Sequence, residues 1–127
     1  MHIIINNSSM VPIYEQIVNQ IKTAIVNGEL LPETVLPSVR GMAKELKISA
    51  LTVKKAYDYL EEEGLTITIH GKGTFVASAG TELLKEEHIR QVEEDLEKVI
   101  DKGQCCGLNQ EELREMFEMI VSDKFKE

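Results

Sequence analysis

The spacing of apolar residues changes several times along this chain, and each change marks an element. In "PIYEQIVNQIKTAIVNG" isoleucine returns every four residues, at Ile13, Ile17, Ile21 and Ile25, with Ala24 beside them. That is the single stripe of an amphipathic helix. Pro12 suits its first position, where a missing N–H costs nothing, and Gly28 suits its stop. The connector "ELLPETVLP" is broken by Pro32 and Pro37. A short second helix is predicted next, capped by Ser38, with Val39, Met42, Ala43 and Leu46 facing inward. After the turn "KIS", Ser49 caps a third helix from about Ala50 to Glu63, and Gly64 ends it. Its buried side is Val53, Ala56, Tyr57 and Leu60.

The period then shortens to two. "LTITIH" alternates apolar and polar with β-branched residues and reads as a strand, "GKG" as a turn, and "TFVAS" as the returning strand. The N-terminal "HIII" offers a third strand to this hairpin. After "AGT" the helical period returns over residues 81–102, where Ile89, Val92, Leu96 and Val99 alternate steps of three and four. That spacing is a coiled-coil-like seam. "GQCCGL" breaks it, and Asn109 with Glu112 forms a capping box for a last helix whose apolar side is Leu113, Met116, Phe117, Ile120 and Val121. Two amphipathic helices on a short loop cannot bury both stripes unaided. A second copy is the simplest partner, so Ile89, Val92, Leu96, Val99, Leu113, Phe117 and Ile120 are the expected dimerisation residues.

The order helix, short helix, tight turn, helix, hairpin is that of a winged helix-turn-helix. The expected fold class is therefore α+β and mostly helical: a winged helix-turn-helix DNA-binding domain over residues 1–78, then a helical dimerisation hairpin over 79–127.

Composition narrows this only a little. With 127 residues, 43% hydrophobic and 28% charged, the chain is an ordinary soluble domain with an appendage. No apolar run is long enough for a membrane span, and the N-terminus lacks the basic flank of a signal peptide, so a cytoplasmic protein is expected. The net charge of −8 argues at first against nucleic acid. Its distribution argues otherwise: over residues 36–76 Arg40, Lys44, Lys47, Lys54, Lys55 and Lys72 face five acids, while residues 77–127 carry a balance of −7. A basic footprint needs only a local face, although non-specific binding should be weak and fade quickly with salt.

The lysine of "IHGKGTF" suggests a phosphate partner. A nucleotide-binding P-loop needs glycine where Thr66 stands and Ser or Thr where Gly73 stands, and it must open a helix rather than join two strands. A nucleic-acid backbone fits better: the glycines permit close approach and Lys72 supplies charge. The third helix has the size to enter a major groove.

Taken together, "PIYEQIVNQIKTAIVNGEL", "LPSVRGMAKELKIS", "TVKKAYDYLEEEGL" and "HGKGTFV" closely resemble the DNA-binding domain of the GntR family of bacterial transcription regulators, over about residues 10–77. The short two-helix tail is similar to that of the YtrA-like branch, whose C-terminal region serves dimerisation. The resemblance implies a homodimer on a double-stranded DNA operator, usually repressing a neighbouring operon that often encodes a transporter. It puts the DNA contacts on Arg40, Ser49, Thr52, Lys54, Lys55, His70, Gly71 and Lys72.

Several of these also have a purely structural reading. Ser49 is a helix cap, and Lys54 has Asp58 four residues on for a surface ion pair. Lys54 and Lys55 point about 100° apart on a helix. The sequence departs from the branch at Ala50 and Leu51, where polar or proline residues are common, and from the family at Glu33 and Lys47, where glycine is common. Leu51 cannot hydrogen-bond a base edge; it either packs on a thymine methyl or is buried.

No catalytic constellation, metal site or cofactor is expected. Cys105 and Cys106 are adjacent, which argues against a disulfide scaffold and leaves two free thiols in a connector. His88 and the acids Glu93, Glu94, Asp95 and Glu97 belong to the wet face of the tail. A small-molecule effector would have to act at the tail interface or between the tail and the winged domain. The rival expectation is a winged-helix interaction module that docks proteins through its acidic tail.

Overall fold

The computed structural model describes residues 1–126. The elements run α1 (Ile13–Val26), α2 (Val39–Leu46), α3 (Ala50–Glu62), β1 (Thr66–Ile69), β2 (Gly73–Val76), α4 (Ser78–Cys105) and α5 (Gln110–Lys124). They divide into two compact units, Met1–His88 and the residues from Ile89 onward. Among the described residues no helix is long and apolar enough to cross a membrane.

In the first unit the isoleucine stripe of α1 does what its spacing predicts. Ile17, Ile21 and Ile25 are buried against Met42 and Ala43 of α2 and Val53, Ala56, Tyr57 and Leu60 of α3. Ile13, at the outer end of the stripe, is only partly buried. Each fully buried side chain of this size stabilises by about 1.5–3 kcal/mol. Pro12 takes the cap position, one residue before the first helical turn.

β1 and β2 pair antiparallel, with Thr66 opposite Val76 and Ile69 opposite Gly73. Thr66 and Val76 turn into the core. The third strand-like partner is not the N-terminal segment. It is the connector before α2: Glu33 N–H donates to the Val76 carbonyl at 2.7 Å, Val76 N–H to Thr34 at 2.9 Å and Leu36 N–H to Thr74 at 2.8 Å. "HIII" instead runs along α1, where glutamine amides serve its backbone as a neighbouring strand would. Gln20 accepts from Ile4 N–H and donates to the Ile4 carbonyl at 2.9 and 2.7 Å. Gln16 does the same for Asn6, at 2.9 and 3.1 Å.

The helix after the wing also differs from expectation. α4 begins at Ser78 rather than 81 and continues to Cys105, so "AGT" is helix and not linker. Gly80 explains this. A Cβ at that position would collide with the Gly64 carbonyl, so only glycine lets the first turn of α4 lie on the end of α3. Thr81 Oγ1 secures the turn by donating to the Ala77 carbonyl at 2.6 Å, and Leu84 packs on the core.

In the second unit α4 runs through a short loop into α5. Gly103 is buried, and a Cβ there would come within 2.6 Å of Leu113 Cδ2. The predicted capping box is present: Glu112 N–H donates to Asn109 Oδ1 at 2.9 Å and Asn109 N–H to Glu112 Oε1 at 3.0 Å. Ile89, Val92, Leu96, Val99, Phe117 and Ile120 are all exposed, and Leu113 is half-buried. Leu96, Val99, Ile100, Leu113 and Phe117 line an open apolar groove.

Candidate nucleic-acid interface

α2 and α3 are joined by a tight bend. Ser38 Oγ accepts from Gly41 N–H at 3.0 Å and Ser49 Oγ from Leu51 N–H at 3.1 Å, so both helices begin with the caps their sequences predict. Between them Lys47 takes a left-handed conformation, φ 58° and ψ 47°, that turns the chain from one helix to the next. Tyr57 fixes the pair. Its buried hydroxyl donates to the Pro37 carbonyl at 2.7 Å and lies 3.8 Å from Met42 Sδ. Burial drives the Tyr57 pKa well above its usual value, so the phenol stays a donor.

The arrangement exposes Arg40 on the first turn of α2 and Ser49, Lys54 and Lys55 on α3 and its cap; Thr52 is half-buried. The Ser49 oxygen is engaged in the cap, yet its proton is free to donate outward. Lys54 and Lys55 diverge as helical geometry requires. Lys54 Nζ lies 2.8 Å from Asp58 Oδ2, and the hydrogen bond to that carboxylate raises its pKa. Lys55 Nζ stands 4.1 Å from the centroid of the Tyr14 ring, a cation–π contact across to α1. The role of Tyr14 was not read from the sequence. The available signal was an aromatic side chain one step off the isoleucine stripe.

Leu51, Lys54, Lys55, Asp58 and Glu62 follow one another at helical steps along the outer face of α3 and line a shallow groove with Tyr14 and Tyr59. That face is apolar and basic at its N-terminal half and acidic at its C-terminal half. The acidic end is tied to α1. Lys22 Nζ lies 3.3 Å from Glu63 Oε1 and 5.3 Å from the Tyr59 ring. A hydrogen bond from the Tyr59 phenol, and after it Lys22, holds Glu63 below the usual carboxylate range.

The wing presents His70, Gly71 and Lys72 as an exposed loop. Lys72 N–H donates to the Ile69 carbonyl at 2.9 Å, closing a turn that needs the positive φ of Gly71, 81°. Thr68 N–H donates to Glu61 Oε1 at 3.1 Å and so links β1 to α3. All eight residues that the resemblance puts at the DNA thus lie within one compact unit, on α2, α3 and the adjoining wing. Cys105 and Cys106 are exposed free thiols, and among the described residues no group of three or more His, Cys, Asp and Glu side chains is placed to hold a metal ion.

A capped helix-turn-helix followed by a β-hairpin with a basic tip defines a winged helix-turn-helix protein of the kind that reads duplex DNA. Comparison with known proteins agrees. The family model "Bacterial regulatory proteins, gntR family" matches residues 13–76. The chain is 36% identical over 119 residues to the HTH-type transcriptional repressor YtrA of Bacillus subtilis, covering 94% of this chain and 92% of that one. A transcriptional regulator from Oenococcus oeni superposes with a TM-score of 0.74 at 32% identity, covering 92% of this chain and 97% of the other. The AraR DNA-binding domain in complex with operator ORX1 gives a TM-score of 0.54 at 29% identity over 61% of this chain and 96% of that one. The protein belongs to the gntR family of bacterial regulatory proteins; it is a DNA-binding transcription regulator and not an enzyme.

Proposed function

We propose that the protein is a cytoplasmic repressor of a neighbouring operon, of the transporter-encoding kind that the family resemblance implies, and that it binds a palindromic operator as a homodimer. Residues 1–78 read the DNA and residues 79–127 pair with a second copy through Ile89, Val92, Leu96, Val99, Leu113, Phe117 and Ile120. The two copies of α3 enter successive major grooves, with half-sites about 10 bp apart or a little more. Arg40 and the first turn of α3, with Ser49 and Thr52, contact bases. Lys54, Lys55 and Lys72 contact phosphates, while His70 and Gly71 bring the wing tip against the backbone. An effector, if one acts, does so by changing the separation of the two reading helices.

The observation that carries this reading is the outer face of α3, where Leu51, Lys54 and Lys55 lead and the acids follow. Only the leading half suits a groove walled by phosphates.

The test is titration of labelled operator-like and random duplexes at two salt concentrations. The expected result is a specific complex on the operator, weakened by about tenfold or more in Arg40→Ala through loss of a charged base or phosphate contact. Equal and negligible binding to both duplexes would instead support a protein-docking module.

A further inference from the structure

An exposed leucine is ordinary on its own. Leu51 differs by where it stands. It is the second residue of α3, capped by Ser49, and 77% of its surface is open to solvent. Burial, one of the two fates its sequence allows, is therefore excluded within this chain. Ala50 beside it is exposed as well. Next to these, Ser49 Oγ accepts from Leu51 N–H and keeps only its proton for an outward contact, and Thr52 is half-buried. Lys54, one turn on, is held by Asp58 at 2.8 Å, and Lys55 is turned to Tyr14. At Ala50 and Leu51 the leading turn of the reading helix thus offers apolar surface, with no side-chain donor or acceptor at either position.

The C5-methyl of thymine is the apolar group on the major-groove edge of a base pair. We infer that Leu51 is a specificity-determining residue that reads thymine by packing on its C5-methyl, so that the operator half-site carries thymine under the N-terminus of α3. The inference rests on the DNA-binding reading above and deepens it from DNA in general to one base in a stated place. Burying one methyl against Leu51 corresponds to about fourfold in affinity. Removing the methyl should cost that much without disturbing any hydrogen bond of the base pair.

The full-length chain is used to select bound duplexes from a random pool, and each thymine of the selected half-site is then replaced singly by deoxyuridine. The expected result is about a fourfold loss at one or two adjacent positions and none elsewhere. Leu51→Ala should bind thymine and uracil duplexes equally and unfold at the same temperature as the parent, because Leu51 supports no core. Indifference of the parent protein to deoxyuridine at every position would overturn the inference and leave DNA binding standing. Sensitivity that persists in Leu51→Ala would overturn it also, by assigning the contact to Ala50 or Thr52. Failure to enrich any sequence would remove the operator reading itself, and this inference with it.

Discussion

Two single residues hold a backbone conformation that side chains resist. Glu33 and Lys47 have φ of 68° and 58°, and they are the non-glycine residues with positive φ among those described. Both sit where the family resemblance puts glycine, which made the strained turn at Lys47 legible in the sequence, whereas the conformation of Glu33 was not. Left-handed geometry costs a residue with a Cβ roughly 1–2 kcal/mol, partly offset by glycine's greater freedom in the unfolded chain. Lys47→Gly is therefore expected to raise stability by about 0.5–1 kcal/mol, measured as a higher urea midpoint with unchanged slope. The chemistry of Leu51 was half legible. That it cannot hydrogen-bond followed from its identity, but that it faces solvent depends on how α3 is rotated on the core, which the neighbouring apolar positions leave open by about one helical step.

Among the elements, those carried by strong periodicity were legible: α1, α2 and α3, the hairpin and the capped α5 all fall within about two residues of their sequence signals. The failures have physical causes. "HIII" looked like a strand seeking a sheet, but Gln16 and Gln20 satisfy its backbone from the side of α1, a role that side-chain spacing does not reveal. Gly80 looked like a linker residue because glycine weakens helices by about 1 kcal/mol. Its reason is the contact with Gly64. Gly80→Ala should gain that helix propensity and lose more, since the obstructing atoms are backbone and cannot move aside. A net destabilisation of about 1–2 kcal/mol is expected in equilibrium unfolding.

The tie between α1 and the end of α3 carries a pH dependence. Glu63 is held below its unfolded value by Tyr59 and Lys22, so its stabilisation is present above the ordinary carboxylate range and is lost as pH falls through the lowered folded value. Glu63→Gln should be less stable than the parent at pH 7, by under about 1 kcal/mol for a largely solvated pair. The two proteins should converge in urea unfolding as pH falls below that lowered value.

At the scale of the whole molecule, the open apolar stripes of α4 and α5 make the proposed dimer testable without touching the core of the winged unit. Phe117 is 54% exposed, so Phe117→Asp should leave the fold intact. It is expected to sediment as a monomer and to bind a two-half-site duplex at least tenfold more weakly, since joining two reading heads is what makes the second contact intramolecular. Unchanged sedimentation would move the dimer contact elsewhere. The ion pair between Lys54 and Asp58 has a consequence at this same scale. A protein of net charge −8 whose Lys54 already has a carboxylate companion must trade one anion for another when that lysine meets a phosphate, so the contact should add little to sequence-independent affinity. Such a regulator is expected to linger only briefly on arbitrary sequence, its search for a target running more by repeated collision than by sliding along the duplex.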